Sequence, residues 1–195
     1  MKSILFINAC VRKDSRTKRV ALNVLSGLNG EVEEVCLSQI DFPAVDEAFI
    51  IRRDLLKESG EFSNPIFDLA RQFAAADQIV IAAPYWDLSF PASLKQYFEQ
   101  INVNGITFTY TPEGALKGLC KAEKLYYVTT AGGNFVPEEF GYGYVKALAQ
   151  SFYGIENVKL IKAAGLDIVG ADVDRILEEC TGPSNLNFDL DNAAG

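Results

Sequence analysis

The sequence predicts a doubly wound α/β domain: five parallel strands in the order 2-1-3-4-5, with helices on both faces. Three observations carry this prediction. Short apolar runs rich in β-branched residues alternate with longer segments whose apolar residues recur at helical spacing. The central run, Ile79-Val80-Ile81-Ala82-Ala83, is apolar without alternation, as a strand buried on both faces requires. Pro84 and Pro91 then bracket a short connection into a helix, because proline ends a ladder and suits a first helical turn.

Ser3–Ala9 is the first strand, an apolar run that stops at a polar loop. That loop, Cys10–Thr17, feeds a helix with Val20, Leu22, Val24, Leu25 and Leu28 on its apolar face, and Ser15 or Thr17 supplies the N-cap. Glu31–Leu37 alternates and forms the second strand. The connection Ser38–Asn64 carries a helix around Asp46–Glu58. Pro65–Ala76 is a helix that leads into the central strand. After Pro91, Leu94, Tyr97, Phe98 and Ile101 mark the next helix. Ile101–Ala122 is an excursion with a strand-like Thr107–Tyr110, punctuated by Gly105, Pro112, Gly114 and Gly118. Lys124–Thr130 is the fourth strand and ends in Ala131–Phe135. Gly141–Phe152 is a helix, Val158–Ala164 the fifth strand and Asp172–Cys180 the last helix. The domain spans 1–180, and 181–195 is expected to be a loose polar tail.

Composition narrows the function. A chain of 195 residues makes one domain with a sizeable core. A formal net charge of −8 gives no general attraction for phosphate backbones or anionic lipid, so neither nucleic acid nor membrane is an expected partner. The apolar runs are strand-sized, too short to cross a bilayer, and Met1–Ala9 has no signal-peptide pattern. Four scattered cysteines without a CxxC pair fit reduced thiols in a cytoplasm rather than structural zinc. Cys10 is expected to be a small buried hydrophobe. There is no histidine, which excludes Ser-His-Asp and Cys-His hydrolases and most transition-metal sites. Chemistry must use other groups or a cofactor.

Three loops follow strands one, three and four, and the predicted order brings them to one edge of the sheet. Ligands of open α/β sheets bind there, at the switch point between strands one and three. The first loop offers Arg12, Ser15, Arg16 and Thr17 at a helix N-terminus, which suits a phosphate. The second, Pro84, Tyr85, Trp86, Asp87 and Leu88, offers an aromatic wall and backbone amides for a flat ring. The third, Thr130, Gly132 and Gly133, lets backbone approach a ligand closely. Neither GxxxxGK[ST] nor GxGxxG is present. Taken singly, each loop also fits an ordinary capped helix or packed core aromatics; the ligand reading rests on their convergence.

With these blocks in place, the sequence resembles the flavodoxin-like NAD(P)H-dependent oxidoreductases, which include quinone reductases and FMN-dependent azoreductases, and is closer to the azoreductases. The blocks are Arg12 with Ser15-Arg16-Thr17, then PYWDLSFPASLKQYFEQ, GITFTYTPEGALKGL, TTAGG and SFYGIENVKLIKAAGL, spread over Ser3 to Cys180. The resemblance implies a flavodoxin-like fold, tightly bound FMN, and NADH or NADPH as electron donor. It implies two-electron, ping-pong reduction of quinones, azo or nitro compounds in a homodimer. It places the first loop at the phosphate, Pro84–Leu88 along the isoalloxazine, and Thr130, Gly132 and Gly133 at the pyrimidine side. Tyr110 matches an aromatic beside the active site, and Phe152 one that reaches the neighbouring subunit's site, so both are expected to contact substrate. Cys10 stands where Ser is usual, Asp87 where Asn is common, Leu88 where an aromatic is common, and Ala131 where some azoreductases have Arg. Asp87 beside a flavin is expected to lower its potential. The sequence also allows a non-enzymatic flavoprotein, either an electron carrier or a redox-responsive binding protein, and, as a third reading, a flavin-free α/β ligand-binding protein.

Overall fold

The computed structural model describes residues 1–182. Five parallel strands form the central sheet: β1 (Ser3–Asn8), β2 (Glu31–Cys36), β3 (Gln78–Ala82), β6 (Lys124–Thr130) and β7 (Asn157–Ala163). Their order is β2-β1-β3-β6-β7, which is the expected 2-1-3-4-5. The remaining strands, β4 (Phe108–Tyr110) and β5 (Leu116–Gly118), pair antiparallel as a separate hairpin inside the Ile101–Ala122 excursion. The helices are α1 (Arg16–Ser26), α2 (Glu47–Glu58), α3 (Asp68–Ala75), α4 (Ala92–Ile101), α5 (Tyr142–Leu148) and α6 (Val173–Glu179). The tail expected over 181–195 lies, from residue 183 onward, outside the described residues.

Alternation along each strand divides the core into two layers. Leu5, Ile7, Ile79, Ile81, Leu125 and Tyr127 face α3, α4 and α5, where Phe73, Tyr97, Phe98 and Tyr153 fill the space. Ile4, Phe6, Val80, Ala82, Tyr126 and Val128 face α1 and α6, against Val20, Ala21, Val24, Leu25 and Leu177. The edge strand β2 is charged and mostly exposed, which blunts the edge of the sheet. At the opposite end from the loops, Asp77 accepts hydrogen bonds from the Ser3 amide at 2.8 Å and hydroxyl at 3.1 Å, and pairs with Lys121 at 2.6 Å. The Lys121 ammonium and the Ser3 amide hold its carboxyl down to about 2. This ties β1, β3 and the chain entering β6 together at one point.

Two features, one in the excursion and one in the helix it packs on, were not expected from the sequence. Leu116–Gly118 is a strand, although Pro112 and Gly114 punctuate the segment just before it; those residues form the turn that lets the chain double back. The helix through Gly141–Phe152 also widens into a π-turn over Ala149–Tyr153 and ends on Gly154 at φ +75°. The hairpin rests on that turn, with the Cys120 amide donating to the Tyr153 carbonyl at 3.3 Å. A Cβ on Gly118 would lie 2.2 Å from the Gly154 nitrogen and the Tyr153 carbonyl carbon. Both are backbone atoms and cannot step aside. Gly118→Ala is therefore expected to cost about 2–4 kcal/mol in urea denaturation. Gly114→Ala, where a Cβ meets open space at φ +84°, should cost only about 1–2 kcal/mol.

Candidate active site

The carboxyl ends of β1, β3 and β6 open into a cavity of about 450 Å³, within the range of small-molecule sites. Arg12, Ser15, Arg16, Thr17, Pro84, Tyr85, Trp86, Thr130 and Gly132 line it. The structure thus brings together residues from all three loops that the sequence singled out.

The first loop ends in a capped helix. Ser15 is the N-cap, and its Oγ accepts from the Lys18 amide at 3.2 Å. The amides of Arg16 and Thr17 have no acceptor among the described residues, as the first turn of a helix leaves them. They are available to an anion. Thr17 is not a second cap. Its side chain is buried, and its hydroxyl shares a 2.7 Å hydrogen bond with that of Thr130. This bond joins the first loop to the end of β6 beneath the cavity. Three cations of α1 are already paired: Arg16 with Asp167 at 2.7 Å, Lys18 with Glu34 at 2.9 Å and Arg19 with Asp174 at 2.6 Å. Arg12 has no carboxylate partner among the described residues. Cys10 is buried beside this loop, and desolvation pushes its thiol up from its ordinary value, so it is a packing residue as expected.

The second loop is a tight turn. Trp86 and Ser89 exchange both backbone hydrogen bonds, at 3.1 and 2.7 Å, around Asp87 at φ +48° and Leu88 at φ +70°. Two central residues at positive φ define the type I′ hairpin geometry. The amides of Tyr85 and Trp86 are consumed by Thr130 and Ser89 carbonyls, so the free amides expected there are not on these two residues. Trp86 remains 40% exposed and forms a ledge at the cavity rim rather than core. Asp87 and Leu88 are exposed and do not line the cavity.

The third loop is zipped to the chain leaving β7. Gly165, Leu166 and Asp167 donate their amides to the carbonyls of Gly133, Ala131 and Gly132, at 3.0, 3.2 and 2.9 Å. The Gly132 and Gly133 amides have no acceptor among the described residues. A Cβ on Gly132 would lie 2.1 Å from Asp167 Oδ2, so glycine there makes room for that carboxylate. Gly133 does not line the cavity.

Tyr110 and Phe152 stand apart from the cavity. Both rings pack edge-on against Phe108, at 5.8 and 5.0 Å between centroids, and Tyr110 is exposed. Val11, Asp14, Ala131, Leu166 and Asp167 also line the cavity but were not among the candidates. The missed signal for Leu166 and Asp167 was Ala164-Gly165-Leu166-Asp167, which follows the fifth strand directly. The fifth strand neighbours the fourth in the predicted order, so its loop belongs to the same edge.

A profile of the family with the flavodoxin-like fold matches residues 2–182. The chain belongs to this family. Within it, the chain is 35% identical over 188 residues to an FMN-dependent NADH:quinone oxidoreductase of Clostridium beijerinckii, covering 92% of this chain and 94% of that one. Among solved structures, an azoreductase from Bacillus anthracis superposes with a TM-score of 0.79 at 25% identity, over 95% of this chain and 99% of that one. The fold is also that of an FMN-dependent NADH-azoreductase from the same species solved with FMN, with a TM-score of 0.75 at 22% identity, over 93% and 96% of the two chains. Flavodoxin-like topology explains why the cavity lies beside β1 and β3: the strand order reverses there, leaving a crevice between loops that diverge to opposite faces.

The type I′ turn supplies a test of local strain. A leucine in the left-handed region costs about 1–2 kcal/mol, and glycine there relieves it while adding about 0.5–1 kcal/mol of unfolded-state entropy. Leu88→Gly should therefore leave the protein as stable or up to about 1 kcal/mol more stable. A clear loss in urea denaturation would mean that packing of the Leu88 side chain holds the turn.

Proposed function

We propose that this chain is an FMN-dependent oxidoreductase that takes reducing equivalents from NADH and passes them to quinones, azo or nitro compounds. The observation that carries the proposal is one cavity in which a helix N-terminus with free amides, an aromatic ledge and the Gly132 loop meet. The names of the relatives supply NADH as donor and quinones and azo compounds as acceptors, and nitro compounds are flat acceptors of the same kind.

The residues present fit FMN by the chemistry of their donors. The Arg16 and Thr17 amides, the Ser15 hydroxyl and Arg12 would hold the phosphate. Pro84, Tyr85 and Trp86 would flank the ring, and the amides of Gly132 and Gly133 would donate to its polar edge. The Cβ-free approach at Gly132 keeps the loop close enough for this. When bound, the flavin supplies the two-electron redox chemistry, exchanging hydride with flat partners that stack on its face. The protein's part is to orient the ring on the ledge, leave one face open and keep bulk water off the covered face. No side chain is assigned as proton donor, and water at the open rim is sufficient for that role. Asp87 points its charge at solvent, so any effect on flavin potential acts through space rather than by contact.

The working unit is a homodimer in the cytoplasm. The β4–β5 hairpin carries exposed Tyr110, Leu116 and Leu119, apolar groups that a partner subunit would cover. Tyr110 and Phe152 then contact substrate in the partner's cavity, which accounts for their distance from their own. All four cysteines are free, as a reducing compartment keeps them. No helix among the described residues is long and apolar enough to cross a membrane.

Steady-state kinetics with NADH and a soluble benzoquinone test the proposal. Double-reciprocal lines at several quinone concentrations should be parallel, because the two substrates use one open face in turn. NADH alone should bleach the flavin absorption within the turnover time. Intersecting lines would contradict the shared face, and a bound flavin that NADH leaves oxidised would make the protein a carrier rather than an oxidoreductase.

A further inference from the structure

We propose that Asp167 is an internal rival of the flavin's phosphate for Arg16, and that it sets how tightly the cofactor is held; this rests on the FMN reading above. Asp167 lies in the loop after β7 and lines the cavity. Its Oδ1 accepts from Arg16 Nη1 at 2.7 Å, while its Oδ2 lies over Gly132, 2.1 Å from where a Cβ would be. One carboxylate thus spans from the anion-binding helix N-terminus to the loop after β6. On the FMN reading, the phosphate would bind at the first end of this span and the ring's polar edge at the second.

The backbone of this segment is fixed. The amides of Gly165, Leu166 and Asp167 are each bonded to the neighbouring loop, so the carboxylate can yield only by turning its side chain. Exposure makes that turn inexpensive, since the Asp167 side chain is 70% exposed and the pair is screened by water. Arg16 has further N–H donors beyond the one used, so it can pass from carboxylate to phosphate without leaving its position. The negative charge of Asp167 nevertheless remains beside the phosphate and weakens its binding. The fold contains its own control. Arg19 and Asp174 form the same kind of pair one helical turn further on, at 2.6 Å, and neither lines the cavity.

Fluorescence-quench titrations of FMN and of riboflavin, which lacks the phosphate, separate the possibilities. Asp167→Asn should tighten FMN about threefold to tenfold, the range expected for losing one exposed charge pair, and leave riboflavin unchanged. Asp174→Asn should change neither. In an Arg16→Gln background the gain from Asp167→Asn should disappear. Weaker or unchanged FMN binding in Asp167→Asn would overturn the proposal, and weaker binding would make Asp167 a residue that orients Arg16 toward the phosphate. An equal gain for riboflavin, or a gain that persists without Arg16, would also overturn it. Those outcomes leave the FMN reading standing, whereas a wild-type protein that binds neither flavin overturns both.

Discussion

The site depends on the hydrogen-bond ladder of the parallel sheet continuing past the strand ends. Ala9 donates to Ala82, Ala83 to Val128, Tyr85 to Thr130 and Ala131 to Ala163, at 2.9, 2.9, 3.1 and 2.9 Å. Each bond ties the first residues of one loop to the neighbouring strand. The loops therefore leave the sheet at one level and in fixed register. Burial on both faces leaves no other pairing that would keep β1 and β3 dry, so the register of the loop starts is fixed by the core beneath them. The Thr17–Thr130 hydroxyl pair completes the floor. A buried hydroxyl deprived of its partner would cost about 1–3 kcal/mol, which couples the two loops more firmly than their sequence suggests.

Above that floor the loops divide the work by their local chemistry. The first keeps its amides free because a helix start has no upstream carbonyls to bond. The second uses up its amides in a two-residue turn, and what it presents instead is the exposed face of Trp86. The third gives its carbonyls to the loop after β7 and keeps its glycine amides for a ligand. The result is free amides and Arg12 on one side and an exposed aromatic on another within one cavity, on a chain that is acidic overall. Local charge, not net charge, decides what binds. Even the local charge is partly cancelled, because Arg16, Lys18 and Arg19 each have a carboxylate partner.

Strand order, the doubly wound architecture and most cavity-lining residues were legible in the sequence, because hydrophobic period and strand-end loops are local signals. The β5 pairing was not, since Leu116-Lys117-Gly118 has little strand character and is ordered by lying on the π-turn. The outward position of Asp87 and Leu88 was not legible either. It follows from positive φ at two non-glycine residues, which sequence pattern does not announce. Thr17 fitted a capping role by type, yet tertiary contact with Thr130 claimed its hydroxyl. Asp167 was passed over because the loop after the edge strand was not counted with the loops of the switch point. Tyr110 and Phe152 entered through family resemblance alone, and a single chain places them with Phe108 rather than in the cavity.

The central claim is that three loops, separate in sequence, form one binding site. Amide chemical-shift mapping by NMR during an FMN titration tests it directly. The account predicts that the amides of Arg16, Thr17, Trp86, Gly132 and Gly133 move together along one binding curve. Those of β2 and α2 should stay still. Shifts confined to one loop, or centred on another part of the surface, would contradict the account and separate the fold from the function proposed for it.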